Sequence, residues 1–362
     1  MPIRYWALII MLGAIWGCSF LFNAVLIREI SPLWVSAGRV TIGALICWVF
    51  FLVARRRAPA DWRIYAQLVV LGILNYAIPF ALFPWSEEHL PSGIVGVING
   101  MTPMTTVIVS QLWPGGEKAT WNKVAGVVIG LAGAAILASP SLAQGISGQA
   151  LAYLAAFAAT LCYALTLNYA HRFKSIDSAA VASTSLSAAA IIMIPIAFIF
   201  SGAPVITRPE TWGALFGIGV FSTSFSFLLV YWLLPKVGAT NLSLNTFITP
   251  ISAILLGVLV LNESLLPAHF IGILVIFIGL VFIDGRLVKR RQPAAATSRP
   301  ERRCAPGVFP ARRKENADGP RIRSASRTDQ PDGQSRAEIS TRRRRRPQRH
   351  PASAGGGHAV DR

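Results

Sequence analysis

Cysteine is scarce and scattered: Cys18, Cys47, Cys162 and Cys304 stand far apart in 362 residues, with no C-x-x-C pair. That spacing excludes a disulfide-built framework and a cysteine metal site. Charge is also scarce, at 14% of residues, and acids are the rarer sign, 16 against 34 Lys and Arg. The five histidines (His89, His171, His269, His350, His358) are dispersed, and no H-E-x-x-H occurs. No paired carboxylates share a helix face at depth, and no ordered Ser/Lys or Ser/His set is present. The groups that metal-assisted or acid–base catalysis needs are therefore missing, and the sequence reads as a protein that is not an enzyme, with no cofactor and no metal.

What is abundant is apolar sequence. Between Tyr5 and Asp284 the chain holds ten hydrophobic runs, near 5–27, 33–53, 65–85, 91–112, 121–138, 149–170, 179–200, 211–234, 240–261 and 268–285. About 20 residues at a rise of 1.5 Å cross a bilayer's hydrocarbon core. Backbone groups find no water there, so each run is expected to be helical. The first run is longer than a signal-peptide core, carries Trp6 and Trp16, and ends without an A-x-A site; it reads as a retained span. The expected fold is an all-α integral membrane protein of ten transmembrane helices.

The basic excess divides unevenly. Residues up to Arg291 carry 17 Lys and Arg against 9 Asp and Glu, and those from Gln292 onward carry 17 against 7. The segment 292–362 is rich in Pro, Arg, Ala, Ser and Gly, with Arg342 to Arg346 consecutive, a composition expected to stay disordered. It reads as a solvated extension. Attraction to anionic headgroups or non-specific nucleic-acid contact are the alternatives, and a like-charge block defines no specific nucleic-acid site.

With the N-terminus placed in the cytoplasm, the inner loops hold 14 Lys and Arg and the outer loops only Arg28 and Arg208. The positive-inside rule therefore predicts both termini in the cytoplasm.

The chain also repeats itself. Thr102-Pro103, Glu117, Gly126 and Gly133 recur as Thr249-Pro250, Glu263, Gly272 and Gly279. Glu to first Gly is nine positions in both copies and Gly to Gly is seven; Pro to Glu is fourteen against thirteen. This divides the chain into a first five-helix repeat over 1–144, a second over 145–291, and the tail over 292–362. Because five is odd, the second repeat is expected to enter the membrane inverted, the arrangement that underlies alternating access in many carriers.

Trp16-Gly17 in the first span, Pro32 followed seven positions later by Arg39, and the doubled Thr-Pro, Glu, Gly, Gly series resemble the EamA-type carriers of the drug/metabolite transporter superfamily. The resemblance covers about residues 5–285. It implies a bacterial inner-membrane carrier that exports amino acids, metabolites or toxic compounds, with a cavity built from the first four helices of each half. The sequence departs from the pattern where Cys162-Tyr163 stands in the sixth span opposite Trp16-Gly17, and the tail has no counterpart.

In repeats of this kind a transport site lies near the bilayer midplane. The polar and aromatic residues at that depth are Trp16, Asn75, Tyr76, Asn99, Thr102, Tyr163, Ser222, Ser224, Ser226, Asn245 and Thr249. Each is a candidate for solute contact; the alternative is helix-to-helix bonding, worth about 0.6–2 kcal/mol per bond. Pro103 and Pro250 each remove a helix hydrogen bond and are candidate hinges or helix breaks. Arg39 either snorkels to the outer interface or, as the resemblance suggests, binds or gates an anion. Glu117 and Glu263 suit loop caps or inter-repeat hinges, and Glu87 and Glu88, at the outer mouth of the third span, could accept protons there. Gly126, Gly130 and Gly133 share a helix face suited to close packing inside one chain, with homodimerisation through the fifth or tenth helix as the alternative. A channel would need a filter or a ring of charge, and neither occurs. The expected partners are a small-molecule solute and the lipid bilayer.

Overall fold

The computed structural model describes residues 2–142 and 148–285, so Cys304 and the basic tail lie outside the described residues. The described chain is helical throughout: α1 (Ile3–Leu26), α2 (Pro32–Val53), α3 (Trp62–Glu87), α4 (Ser92–Leu112), α5 (Trp121–Ser141), α6 (Gly148–Phe173), α7 (Ser178–Ser201), α8 (Pro209–Val230), α9 (Asn245–Leu261) and α10 (Pro267–Asp284). Nine of these, among the described residues, have the length and hydropathy to cross a membrane. The exception is α9, with 17 residues. The single run expected over 240–261 is divided, because a separate helical turn, Ala239–Leu242, precedes α9.

Local chemistry sets the helix starts. The Ser31 hydroxyl accepts from the Trp34 amide with Pro32 in the first turn of α2, and Asp177 accepts from the amides of Ala179 and Ala180 at the start of α7. The outer surface is the inverse of a soluble protein's. Leu45, Val49 and Leu52 line one exposed stripe of α2, and Ile191, Phe198 and Ile199 another on α7, as lipid contact requires.

A close backbone approach joins α5 to α10. A Cβ on Gly126 or on Gly279 would lie 2.6 Å from the other's carbonyl oxygen, and one on Gly133 or Gly272 would lie 3.0 or 2.9 Å from the other's. The first glycine of each helix thus meets the last of the other, so the two helices run antiparallel. Since Gly126 and Gly133 correspond to Gly272 and Gly279, the contact maps onto itself, as an isologous interface does. Gly130 is equally committed, packed against Met104. These glycines work inside the chain, not on its lipid-facing surface.

Loop contacts repeat the pattern. Glu29, between α1 and α2, accepts from the hydroxyl of Thr207 and the amide of Arg208, both between α7 and α8. The Thr207 hydrogen bond, with help from Thr211, holds the Glu29 carboxyl down at about 2. At a second junction Asp177, between α6 and α7, pairs at 3.4 Å with Arg56, between α2 and α3.

The glycine seam yields a direct stability prediction. Gly272→Val places a branched side chain against the backbone of Leu137 and is expected to cost about 1–3 kcal/mol. Gly213→Ala meets nothing within 4 Å and is expected to be neutral or stabilising by up to about 1 kcal/mol. Thermal melting of the two detergent-solubilised variants, followed by size-exclusion chromatography, reads the difference.

Candidate functional site

Two helices leave α geometry midway. α3 winds as π-helix over Ile73–Ala77 and α8 over Ile218–Phe225. A π segment carries one extra residue and is often found at functional sites. In α8 the hydroxyls of Thr223, Ser224 and Ser226 bond the carbonyls of Ile218, Gly219 and Phe221, each five residues back, at 2.9, 3.0 and 2.8 Å. The segment is also tied sideways, by Ser222 Oγ to the Ile15 carbonyl of α1 and by Ser224 Oγ to the Gly43 carbonyl of α2.

α4 is broken outright. It stops at Asn99, turns through Gly100 and Met101, and restarts at Thr102 with Pro103 in its first turn. The Thr102 hydroxyl covers the Asn99 carbonyl at 2.7 Å. Gly100 sits against Pro250 of α9, where a Cβ would lie 2.5 Å from the ring. Pro250 itself does not break its helix, because α9 continues through it. The expected pair of proline breaks is therefore a correction on one side. α4 bends at the glycine before its proline, while Pro250 is buried in the packing between α4 and α9.

These irregular stretches surround a cavity of about 400 Å³. Of the expected site residues, Trp16, Arg39, Asn75, Asn99, Thr102, Tyr163, Ser222, Asn245 and Thr249 line it. Tyr76, Ser224 and Ser226 do not. Tyr76 is buried between Phe80 and Phe227, with ring centroids 5.6 Å from both, and the Ser226 hydroxyl bonds its own helix. The sequence reading missed Phe20, Phe80, Phe83, Phe227 and Asn23, which also line the wall. Depth along a span is legible in a sequence, but which way an apolar ring turns is set by the neighbouring helix. The wall is drawn from α1, α2, α3, α4, α6, α8 and α9, and α7 contributes no lining residue.

Arg39 is buried and does not run to the interface. Its guanidinium carbon lies 3.6 Å from the centre of the Phe80 ring, and its Nε donates to Thr223 Oγ1 at 3.0 Å. Among the described residues no carboxylate forms an ion pair with it. A cation–π contact in a desolvated site contributes on the order of 2 kcal/mol, well short of the cost of burying a lone charge. Arg39 is thus a cation held in a cavity wall with capacity for an anionic partner.

Beyond Asn23, Glu87 is buried at the end of α3. Asn23 Nδ2 donates to Glu87 Oε1 at 3.0 Å. The placement of Glu87 at an outer mouth is thereby corrected: α1 packs over it. Glu88, the next residue and outside the span, keeps partial exposure, and burial raises its carboxyl above the usual range.

Glu263 accepts from the amides of Ser92 at 2.7 Å and Gly93 at 3.1 Å, capping the start of α4 from the loop before α10. The carboxylate folds over Gly257, where any Cβ would collide with it. Glu117, its copy, instead pairs on the surface with Lys123 at 2.8 Å.

A helical bundle that crosses the membrane many times, with a largely apolar cavity that carries a few polar side chains and is walled by both halves of the sequence, has the architecture of a small-molecule membrane transporter. Residues 4–139 and 150–284 both match the model of the EamA-like transporter family, and the chain belongs to that family. It is a multi-pass membrane protein and a transporter, not an enzyme. It is 24% identical over 287 residues to the transporter YoaV of Bacillus subtilis, covering 78% of this chain and 97% of YoaV. Over 287 residues it is 23% identical to the inner membrane transporter YedA of Escherichia coli, covering 78% and 91%. A protein of Streptantibioticus cattleyicolor named "Probable terminal-alkyne amino-acid exporter" is 22% identical over 301 residues, covering 81% and 97%.

Glu263→Ala leaves two helix-start amides without their acceptor. Loss of such a charged cap is expected to cost about 1–3 kcal/mol, read as a fall in melting temperature that Glu263→Gln partly restores.

Proposed function

We propose that this protein is a secondary carrier that exports a small amphipathic solute, an amino acid or a similar metabolite or toxic compound, by alternating access. The observation that carries the reading is Arg39, a buried cation without an ion-pair partner among the described residues, in the wall of a cavity also lined by Asn75, Asn99 and Asn245. The guanidinium would take the solute's carboxylate. The amide carbonyls would take its ammonium, and Trp16 with Phe227 its apolar part. The family to which the chain belongs, and a relative named as an amino-acid exporter, support a solute of this class.

The mechanism uses residues 1–144 and 145–291 as two inverted halves, with the N-terminus in the cytoplasm. The self-mapping seam of α5 with α10 supports that symmetry. So does the reciprocal pairing of Glu29 with the loop before α8 and of Asp177 with the loop before α3. The break at Gly100, beside Pro103, and the π segments of α3 and α8 are the places where the halves bend. One chain holds the whole cavity, and a homodimer would have to form on faces other than the glycine seam.

The test is uptake of labelled amino acids into proteoliposomes. The reading expects saturable uptake of at least one. Arg39→Ala should insert normally and lose about tenfold to a hundredfold in apparent affinity for it, the equivalent of a lost charge-assisted hydrogen bond. Flux that never saturates would point to a channel, and unchanged affinity in the Arg39 variant would remove the anion-binding role.

A further inference from the structure

Four buried side-chain atoms among the described residues lack a hydrogen-bond partner: Asn23 Oδ1, Glu87 Oε2, Ser92 Oγ and Thr166 Oγ1. Two of the four belong to one pair, the amide and the carboxyl already joined by Asn23 Nδ2 to Glu87 Oε1. Both of those atoms are acceptors when Glu87 is ionised. An ionised carboxylate with a single donor, buried between membrane helices, bears most of its desolvation cost uncompensated. A single proton changes this. A neutral Glu87 has an O–H to donate, Asn23 Oδ1 is an acceptor without a donor, and a carboxylic acid and an amide are complementary through two hydrogen bonds.

Titratable and charged groups from several elements face the pair without sealing it off. α2 brings Arg39, which forms no ion pair with Glu87, its guanidinium being stacked on Phe80. α6 brings Tyr163, packed against Phe83 one turn before Glu87, and the loop before α10 brings Glu263. On its own helix Glu88 and His89 follow, both exposed. Asn23 lines the cavity, so the pair has a route to solvent through the same space that the solute would occupy.

We propose that Asn23 and Glu87 form a proton-binding site, holding one exchangeable proton in this conformation behind the cavity wall at Asn23. The site stands on its own hydrogen-bond accounting. Its use, as the ion traded for the solute, rests on the carrier reading.

Infrared spectroscopy of the full chain in lipid tests it without any solute. At neutral pH exposed carboxyls are ionised, so wild-type protein should show the carbonyl stretch of a neutral carboxylic acid, moving to lower frequency in D2O because the proton exchanges. Glu87→Gln should lose that band, and Asn23→Ala should move it upward as the carbonyl loses its donor. Wild-type protein without the band, a band that ignores D2O, or a band that survives Glu87→Gln would each overturn the proposal. None of these outcomes depends on amino-acid uptake, so failure of the carrier reading and failure of the proton site are separately visible.

Discussion

Hydrocarbon offers no hydrogen-bond partner, and every polar group in this bundle is arranged around that fact. Regular helices satisfy their own backbones. Where the chain departs from them, at the π segment of α8 and at the break in α4, hydroxyls from Thr102, Thr223, Ser224 and Ser226 reach back to cover carbonyls, and at the π segment of α3 Ser36 of α2 covers the Ala77 carbonyl. Each departure brings a polar side chain, Asn75, Ser222 or Asn99, to the cavity wall. Of the polar groups that the protein does not fully satisfy, Arg39 and the Asn23–Glu87 pair are at or behind the cavity wall. The same constraint that builds the helices therefore marks the place where a solute and a proton would be received.

A bundle that must bend without exposing backbone needs rigid pieces and a few soft joints. The glycine contact between α5 and α10 supplies rigidity, because no side chain lies between the backbones at Gly126 and Gly279. The joints are local: Gly100 against Pro250, and the wider turns beside Asn75 and Ser222. The two copies have also diverged. Glu263 locks over Gly257 onto α4, while Glu117 rests on the surface with Lys123. Identical residues in a repeated motif thus do different work in the two halves.

Much of this was legible in the sequence, for reasons that particular residues make clear. Long apolar runs specify spans because the bilayer fixes their length, and the paired glycines mark close packing because nothing larger fits. Trp16, Asn75, Asn99 and Asn245 could be picked by depth, since a polar or aromatic residue at mid-span is costly without a role. Tyr76 passed the same filter yet packs between two aromatic rings, because depth says nothing about rotation. The π segments have the same apolar make-up as the α-helix around them, and α9 runs straight through Pro250, so neither was visible. Glu87 was read as a mouth residue because the packing of Asn23 over it joins positions 64 residues apart.

The account depends on two five-helix halves of opposite orientation, and the side of the membrane occupied by each loop tests this most directly. Reporter fusions near residues 60 and 172 should report the same, cytoplasmic side, as the contact between Arg56 and Asp177 requires. Fusions near residues 30 and 205 should report the other. Loops 60 and 172 on opposite sides would contradict the inverted repeat and the carrier mechanism built on it.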